Sequence, residues 1–342
     1  MTKKRRRRGD EPTGRRYLVT GGAGFIGSYL SEKLLSEGHE VVVIDDLSTG
    51  RLENIRHLEG NRRFDYVIES VANEPLLQNV IGQVDAVFHL AAGVGVMSVV
   101  HSPVHTIEDT LYATEIVLHC ASQAGDKKVL ITSSSEVYGK GTKVPFNEDD
   151  DMLFGPTTKS RWSYGCSKAI DEFLGLAYAK EMKLPVVIVR LFNTVGPRQL
   201  GDYGMVLPRF VSQALRGGPV TVFGDGEQTR CFVHVTDVVD ALCELMHSPE
   251  AEGQVVNVGS DEEITINALA ERVRARVNPE AEIRHVPYEE AYEEGFEDLR
   301  RRVPDLSRVR KLIGFKPTRS LDEIIDAVAT EFRMKKQKID EL

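Results

Sequence analysis

Thr20-Gly21-Gly22-Ala23-Gly24-Phe25-Ile26-Gly27 is the stretch on which the fold is decided. It joins a short apolar run, Arg16 to Thr20, to a helical pattern from Phe25 to Ser36. Gly38 then closes that helix ahead of a second apolar run, Glu40 to Ile44. Strand, glycine turn, helix and strand make a βαβ unit. Within it Gly21 allows the tight turn, Gly24 lets the backbone approach a pyrophosphate, and Gly27 lets the helix pack on the strand. The helix N-terminus aims N–H donors and its positive dipole end at the same anion. Asp45 ends the second strand about 20 positions further on, where a carboxylate accepts hydrogen bonds from an adenosine ribose diol and repels a 2′-phosphate. Neither Asp46 nor Leu47 offers a compensating cation, so the spacing predicts NAD rather than NADP.

The alternation continues outward from this unit. Ala86 to Leu90, Lys128 to Thr132 and Pro185 to Arg190 read as further strands, with helical stretches near Thr106 to Ala124 and Tyr164 to Met182 between them. Such a sequence predicts an α/β fold, a Rossmann-type doubly wound parallel sheet with ligands at the carboxyl ends of its strands. Beyond Leu191 the pattern becomes mixed, with a strand at Val220 to Phe223 and helices at Asp237 to Met246, Ala268 to Val277 and Leu321 to Lys335. The expected division is a basic disordered tail over 1–16, an NAD-binding domain over 17–190, and a smaller mixed α/β substrate-binding portion over 191–342.

Composition sets the outer limits. The 342 residues are 41% hydrophobic and 28% charged, as in an ordinary globular protein, and no run approaches the roughly 20 apolar residues that span a bilayer. The net charge of -9 hides an asymmetry: Met1 to Arg16 holds eight Lys or Arg against Asp10 and Glu11, which leaves 35 basic and 50 acidic side chains for the rest. An acidic body lacks the clustered cations that neutralise phosphates, so neither nucleic acid nor membrane is an expected partner. The basic start runs into Gly9-Asp10-Glu11-Pro12 rather than an apolar segment, and Cys120, Cys166, Cys231 and Cys243 show no metal-ligand or redox spacing. Buried free thiols in a cytoplasmic protein, with no metal, are the expectation; His89 is expected to be structural.

Tyr164 and Lys168 stand at i, i+4 on a helix-compatible stretch, so they share one helix face. An ammonium there can lower the phenol pKa and make Tyr164 a general base. Ser133-Ser134-Ser135-Glu136-Val137-Tyr138-Gly139 follows directly on the strand ending at Thr132 and puts hydroxyls at the carboxyl end of a central strand. These segments, with Asp45-Asp46-Leu47-Ser48-Thr49-Gly50, His89-Leu90-Ala91-Ala92 and Arg190-Leu191-Phe192-Asn193-Thr194-Val195-Gly196-Pro197-Arg198, resemble the extended short-chain dehydrogenase/reductases that modify nucleotide sugars. The resemblance covers about residues 16 to 330. It implies oxidation of the sugar at C4, with Ser134 on the 4-hydroxyl, Tyr164 taking its proton, and Lys168 holding the nicotinamide ribose. Phe25, Ile26, Leu90, Ala91 and Ala92 would complete the cofactor site. Homodimerisation through the two long helices is implied as well.

Glu136 bears on which sugar is altered. Decarboxylases and 4,6-dehydratases of this family carry Glu at the matching position, and the Ser-Glu pair is similar to UDP-glucuronate decarboxylases and to GDP-mannose 4,6-dehydratases. The segment Gly155 to Tyr164 and the run Arg302-Val303-Pro304-Asp305 resemble the decarboxylase side, where Arg302 would position the carboxylate and Glu136 would manage a proton. The apolar loop Ala92 to Ser98 suits a neutral hexose instead, Met97 standing about where glucuronate 4-epimerases place an Arg. A UDP-glucuronate decarboxylase is therefore set ahead of a UDP-hexose 4-epimerase and then a 4,6-dehydratase. Asn193, Val206, Phe223 and Arg230 match positions that hold the diphosphate and base in relatives, which implies a UDP-sugar ahead of a GDP-sugar. Outside enzymes, an NAD-binding regulator would keep the glycines but would have no need of Ser134, Tyr164 and Lys168 together. A nucleic-acid-associated scaffold would rest on the basic tail alone.

Overall fold

The computed structural model describes residues 14–92, 103–199, 205–291 and 299–340. The expectations that fall on the basic run 3–8 and on positions 93–98, Met97 included, lie outside the described residues.

Seven parallel strands form the central sheet. Six come in sequence order: β1 (Arg16–Thr20), β2 (Glu40–Asp45), β3 (Phe64–Ile68), β4 (Ala86–His89), β5 (Lys128–Ser134) and β6 (Val186–Leu191). The seventh, Gln254–Val258, returns late in the chain to pair with β6. From that edge the order runs through β6, β5, β4, β1, β2 and β3, so β1 pairs with both β2 and β4. The strand order reverses there, and a crevice opens at the carboxyl ends of β1 and β4, where doubly wound sheets bind ligands.

Strand alternation sends successive side chains to opposite faces, so each strand feeds two cores. Tyr17, Val19, Val43 and Phe88 are buried beneath α1 (Phe25–Ser36) and the helix Val235–His247. Leu18, Val42, Val87 and Val129 are buried against the helix Pro103–Gln123 on the other face. A third core around Leu207, Phe210, Leu269 and Ile324 holds together the helices Val206–Leu215, Ile266–Val277 and Leu321–Asp340. The strand Val220–Phe223 pairs with Ile283–Val286 beside it.

The first strand begins at Arg16 as read, paired in register with Glu40, so the tail ends before it. Of the chain beyond 190, expected to be mainly the second portion, Val235–His247 and Gln254–Val258 belong to the large layer. The helix expected over 164–182 ends at Ala177 and continues as a π turn over Tyr178–Met182. The half-exposed edge strand β3 and the helix Glu74–Ile81 went unread.

If the late helix is part of the first layer, truncating it should destabilise the whole sheet. Leu242 is fully buried in that helix, so Leu242→Ala is expected to cost about 2–5 kcal/mol. In urea it should shift a single transition. A separate early transition for the second half of the chain would contradict this layering.

Candidate active site

One cavity of about 630 Å³ extends from the glycine turn of β1 to the strand Val220–Phe223. At its cofactor end the three glycines are needed for space. Gly21 has φ +68°, and a Cβ there would meet the Ala91 backbone at 2.9 Å; on Gly27 it would stand 2.2 Å from the Gly21 carbonyl oxygen. The first turn of α1 carries no acidic side chain to compensate its positive end. Asp45 is buried at the end of β2, where Oδ2 accepts from Ala23 N at 2.9 Å and Oδ1 from Leu47 N at 2.8 Å. Each oxygen keeps a second lone pair for a ribose hydroxyl. Phe25, Ile26, Leu90, Ala91 and Ala92 line the same end of the cavity. The donor set, the cradle that a Cβ would fill and the ribose carboxylate all fit a dinucleotide.

The centre of the cavity is built by β5 and by the helix Ser163–Ala177. Ser134 ends β5, and its Oγ accepts from Glu136 N at 3.2 Å, which turns the chain so that Glu136 faces the same cavity. The Tyr164 phenol shares a hydrogen bond with Ser134. One turn further on, Lys168 is 2% exposed, with Nζ 3.2 Å from Asp171 Oδ2. Burial first, then the charges of Glu136 and Asp171, raise the Tyr164 pKa, with the Ser134 bond acting the other way. The ammonium's charge is offset by Asp171 beside it.

Glu136 is clamped. Its Oε1 accepts from Arg302 Nη1 and its Oε2 meets Arg161 Nη1, both at 2.6 Å, with all three side chains largely buried. Burial acts to raise the carboxyl, but the Arg302 and Arg161 guanidiniums outweigh it and hold the pKa down at about 2. Glu136 is therefore held as an anion near neutral pH. Arg302 lines the cavity and keeps a buried Nε with no hydrogen-bond partner among the described residues.

At the far end Asn193, Val206, Phe223 and Arg230 all line the cavity. Asn193 Nδ2 donates to the Cys231 carbonyl at 2.9 Å, and Arg230 Nη1 donates to the Thr229 and Leu299 carbonyls at 2.7 and 2.8 Å. Both are thus oriented by backbone. His89 is structural as expected: buried, bonded to Thr20 Oγ1 at 2.8 Å and Thr114 Oγ1 at 3.2 Å, and pushed down to about 3 by burial and by Lys168. Cys120, Cys231 and Cys243 are buried free thiols, whereas Cys166 is half-buried. Among the described residues no cluster of metal-ligating side chains occurs, and no helix is long and apolar enough to cross a membrane.

Several lining residues escaped the sequence. Arg161 precedes the helix in a run that reads as a polar lead-in, and only the fold brings it to Glu136. Arg209 covers the Phe223 ring, its guanidinium carbon 4.0 Å from the ring centroid, and buried Gln228 donates to the Phe223 carbonyl and to Tyr288. Arg209 and Phe223 form a flat cation–aromatic surface suited to a base.

Comparison with known proteins accords with this geometry. Residues 18–328 match the GDP-mannose 4,6 dehydratase family model. The chain is 40% identical over 320 residues to UDP-N-acetyl-alpha-D-glucosaminuronate decarboxylase of Bacillus cytotoxicus, spanning 93% of this chain and 98% of that protein. It is 37% identical to UDP-glucuronic acid decarboxylase 1 of Arabidopsis thaliana, spanning 93% and 70%. Among solved structures, UDP-glucuronic acid 4-epimerase from Bacillus cereus, in complex with UDP-glucuronic acid and NAD, superposes with TM-score 0.82 at 29% identity, spanning 94% of this chain and 99% of that one.

Two outcomes test the site. Gly27→Ala should abolish NAD retention on purification, because the added methyl collides with a backbone carbonyl; retention at the wild-type level would contradict the cradle. The clamp has an acid signature. With a folded-state value of about 2 against an ordinary 4.5, Glu136 contributes stability that is complete above about pH 4.5 and is lost as pH falls toward 2. Glu136→Gln should flatten the decline of stability across that window. Equal slopes in wild type and variant would show that the carboxylate is not held as described.

Proposed function

The chain belongs to the GDP-mannose 4,6-dehydratase family of nucleotide-sugar enzymes, and from that premise we propose that it decarboxylates a UDP-linked uronate, UDP-glucuronate first, with NAD bound in the glycine cradle. The observation that carries this reading is the Arg161–Glu136–Arg302 clamp beside Ser134 and Tyr164. Two guanidiniums share one carboxylate, and Arg302 keeps a buried Nε donor with no partner among the described residues. A substrate carboxylate would satisfy that donor; a neutral hexose carries no anion to do so.

Held by the cradle of Gly21, Gly24 and Gly27 and by Asp45, NAD would supply the acceptor for the C4 hydride and its later donor. The chain's own residues do the rest. Ser134 orients the 4-hydroxyl, and Tyr164 takes its proton, so that hydride leaves from an incipient alkoxide. The 4-keto product is a β-keto acid. Its C5–carboxyl bond breaks with release of CO₂, and the electron pair passes to the C4 oxygen. Arg302 holds the departing carboxylate, while Glu136 keeps Arg302 and Arg161 in place as a fixed anion. A proton then returns to C5, and the C4 oxygen regains one from Tyr164 as the ketone is reduced. Asn193 and Arg230 hold the diphosphate, with Phe223 and Val206 at the base.

We infer also that the protein is a homodimer. The outer faces of Pro103–Gln123 and Ser163–Ala177 leave Tyr112, Ile170 and Phe173 at 58, 50 and 66% exposure, an apolar face on two packed helices that a second copy would cover. Phe173→Glu should give monomers in sedimentation.

The reaction is decided by weighing products. With UDP-glucuronate or UDP-N-acetylglucosaminuronate the expected result is loss of CO₂; an isomer of unchanged mass from UDP-glucose, or loss of water from GDP-mannose, would replace this reading with epimerisation or dehydration. Tyr164→Phe should reduce kcat by about 10²–10⁴-fold. Arg302→Gln should cost about 10²–10³-fold while leaving UDP affinity unchanged.

A further inference from the structure

Beside the Tyr164–Lys168 pair lies a carboxylate that the chemistry above leaves without a role. Asp171 is fully buried, one turn after Lys168 on the same helix, with Oδ2 3.2 Å from Nζ. A buried carboxylate is costly, and a helix needs none at such a position. The charged groups around it are otherwise neutralised. On its own helix, Glu172 is bound by Arg190 of β6 at 2.7 Å and accepts from Ser133 Oγ at 2.5 Å. Glu136, beyond the end of β5, is held by Arg161 and Arg302. His89 of β4 is neutral, and the helix Pro103–Gln123 presents Thr114, which bonds His89. The cation that Asp171 meets among the described residues is Lys168.

We propose that Asp171 is a positioning residue of the reaction: its carboxylate anchors the Lys168 ammonium inside the sheet–helix interface and offsets that ammonium's field at Tyr164, fixing the pH range in which the phenol exchanges its proton. The inference rests on the assignment of Tyr164 and Lys168 as the catalytic pair. Asp171 acts on Tyr164 in the raising direction, opposite to that of a neighbouring cation.

The sign of the effect follows. Removing one buried negative charge strips the opposing field from Tyr164, so the phenol loses its proton at lower pH. The limb of a pH profile that reports Tyr164 should therefore move to lower pH.

The test uses the full NAD-loaded chain. Tyr164 is titrated through near-ultraviolet tyrosinate absorbance, as the difference between each variant and the same variant carrying Tyr164→Phe. Asp171→Asn is expected to lower the midpoint by about one pH unit, and Asp171→Glu to return it toward the wild-type value. On UDP-glucuronate the limb of the kcat profile set by Tyr164 should move to lower pH in Asp171→Asn, with KM little changed. A folded, NAD-retaining Asp171→Asn whose Tyr164 midpoint stays put or rises would overturn the proposal, as would a drop in kcat with no displacement of the profile. If Asp171→Asn fails to fold, Asp171→Ser, which leaves room for water beside Lys168, carries the same expectation. The titration needs no sugar, so absence of uronate turnover would count against the proposed reaction and leave this result standing.

Discussion

The buried ion pair between Arg190 and Glu172 is the constraint on which the rest of the site depends. Arg190 lies within β6, Glu172 on the helix that carries Tyr164 and Lys168, and the two share hydrogen bonds at 2.9 and 2.7 Å. Ser133, immediately before Ser134, donates to the same carboxylate. The Arg190 guanidinium also donates to the Glu148 carbonyl and lies over the Tyr138 ring, 4.7 Å from its centroid. Tyr138 in turn donates to Asn257 of the returning strand. Burying such a pair costs much of what its attraction returns, so its contribution is geometric more than energetic. It fixes the axial position of the catalytic helix against β5 and therefore the distance between the phenol and Ser134.

With that register set, the clamp on Glu136 becomes possible. Glu136 sits two residues past Ser134 in a short 3₁₀ turn, Arg161 one turn before Tyr164, and Arg302 in a segment tied to the loop after β5, where Phe146 N donates to the Val303 carbonyl at 2.8 Å. Three segments distant in sequence thus converge on one carboxylate. A carboxylate with both oxygens engaged by guanidiniums behaves as a fixed anion, and its use is to orient the two cations toward a third partner. Preorganised charge of this kind needs no rearrangement at the moment of reaction.

What was legible in the sequence was local. The glycines, Asp45 and the i, i+4 relation of Tyr164 to Lys168 announce themselves because each rests on spacing within one turn, one strand or one helix. The hydroxyls of Ser133 and Ser134 were legible because they follow an unmistakable strand. What stayed hidden depends on pairing across the chain. The strand Gln254–Val258 reads as one more short apolar run, and nothing nearby tells that it joins β6 rather than the second half. Arg161 and Arg302 lie 141 positions apart in chain numbering, and their meeting at Glu136 is a product of the fold alone. Asp171 was invisible for the opposite reason, since an acidic residue in a helix ordinarily faces solvent.

The charge balance of the whole chain then takes on a different meaning. Its acidic excess should repel a nucleotide sugar and a dinucleotide, both anions, and long-range steering cannot bring them in. Under the function proposed above, binding rests on groups that act only at contact: the first turn of α1, the backbone-held Arg230, Arg209 over Phe223, and the arginines of the clamp. Three carboxylates in and behind the cavity wall are held by local partners. Asp45 is bonded to backbone amides, Glu136 to two arginines and Asp171 to Lys168. Each negative charge near the reacting centre is thereby tied to a local donor, so the field a substrate meets at the sugar is set by a handful of pairs, and the acidity of the surface outside is screened from it by water and salt.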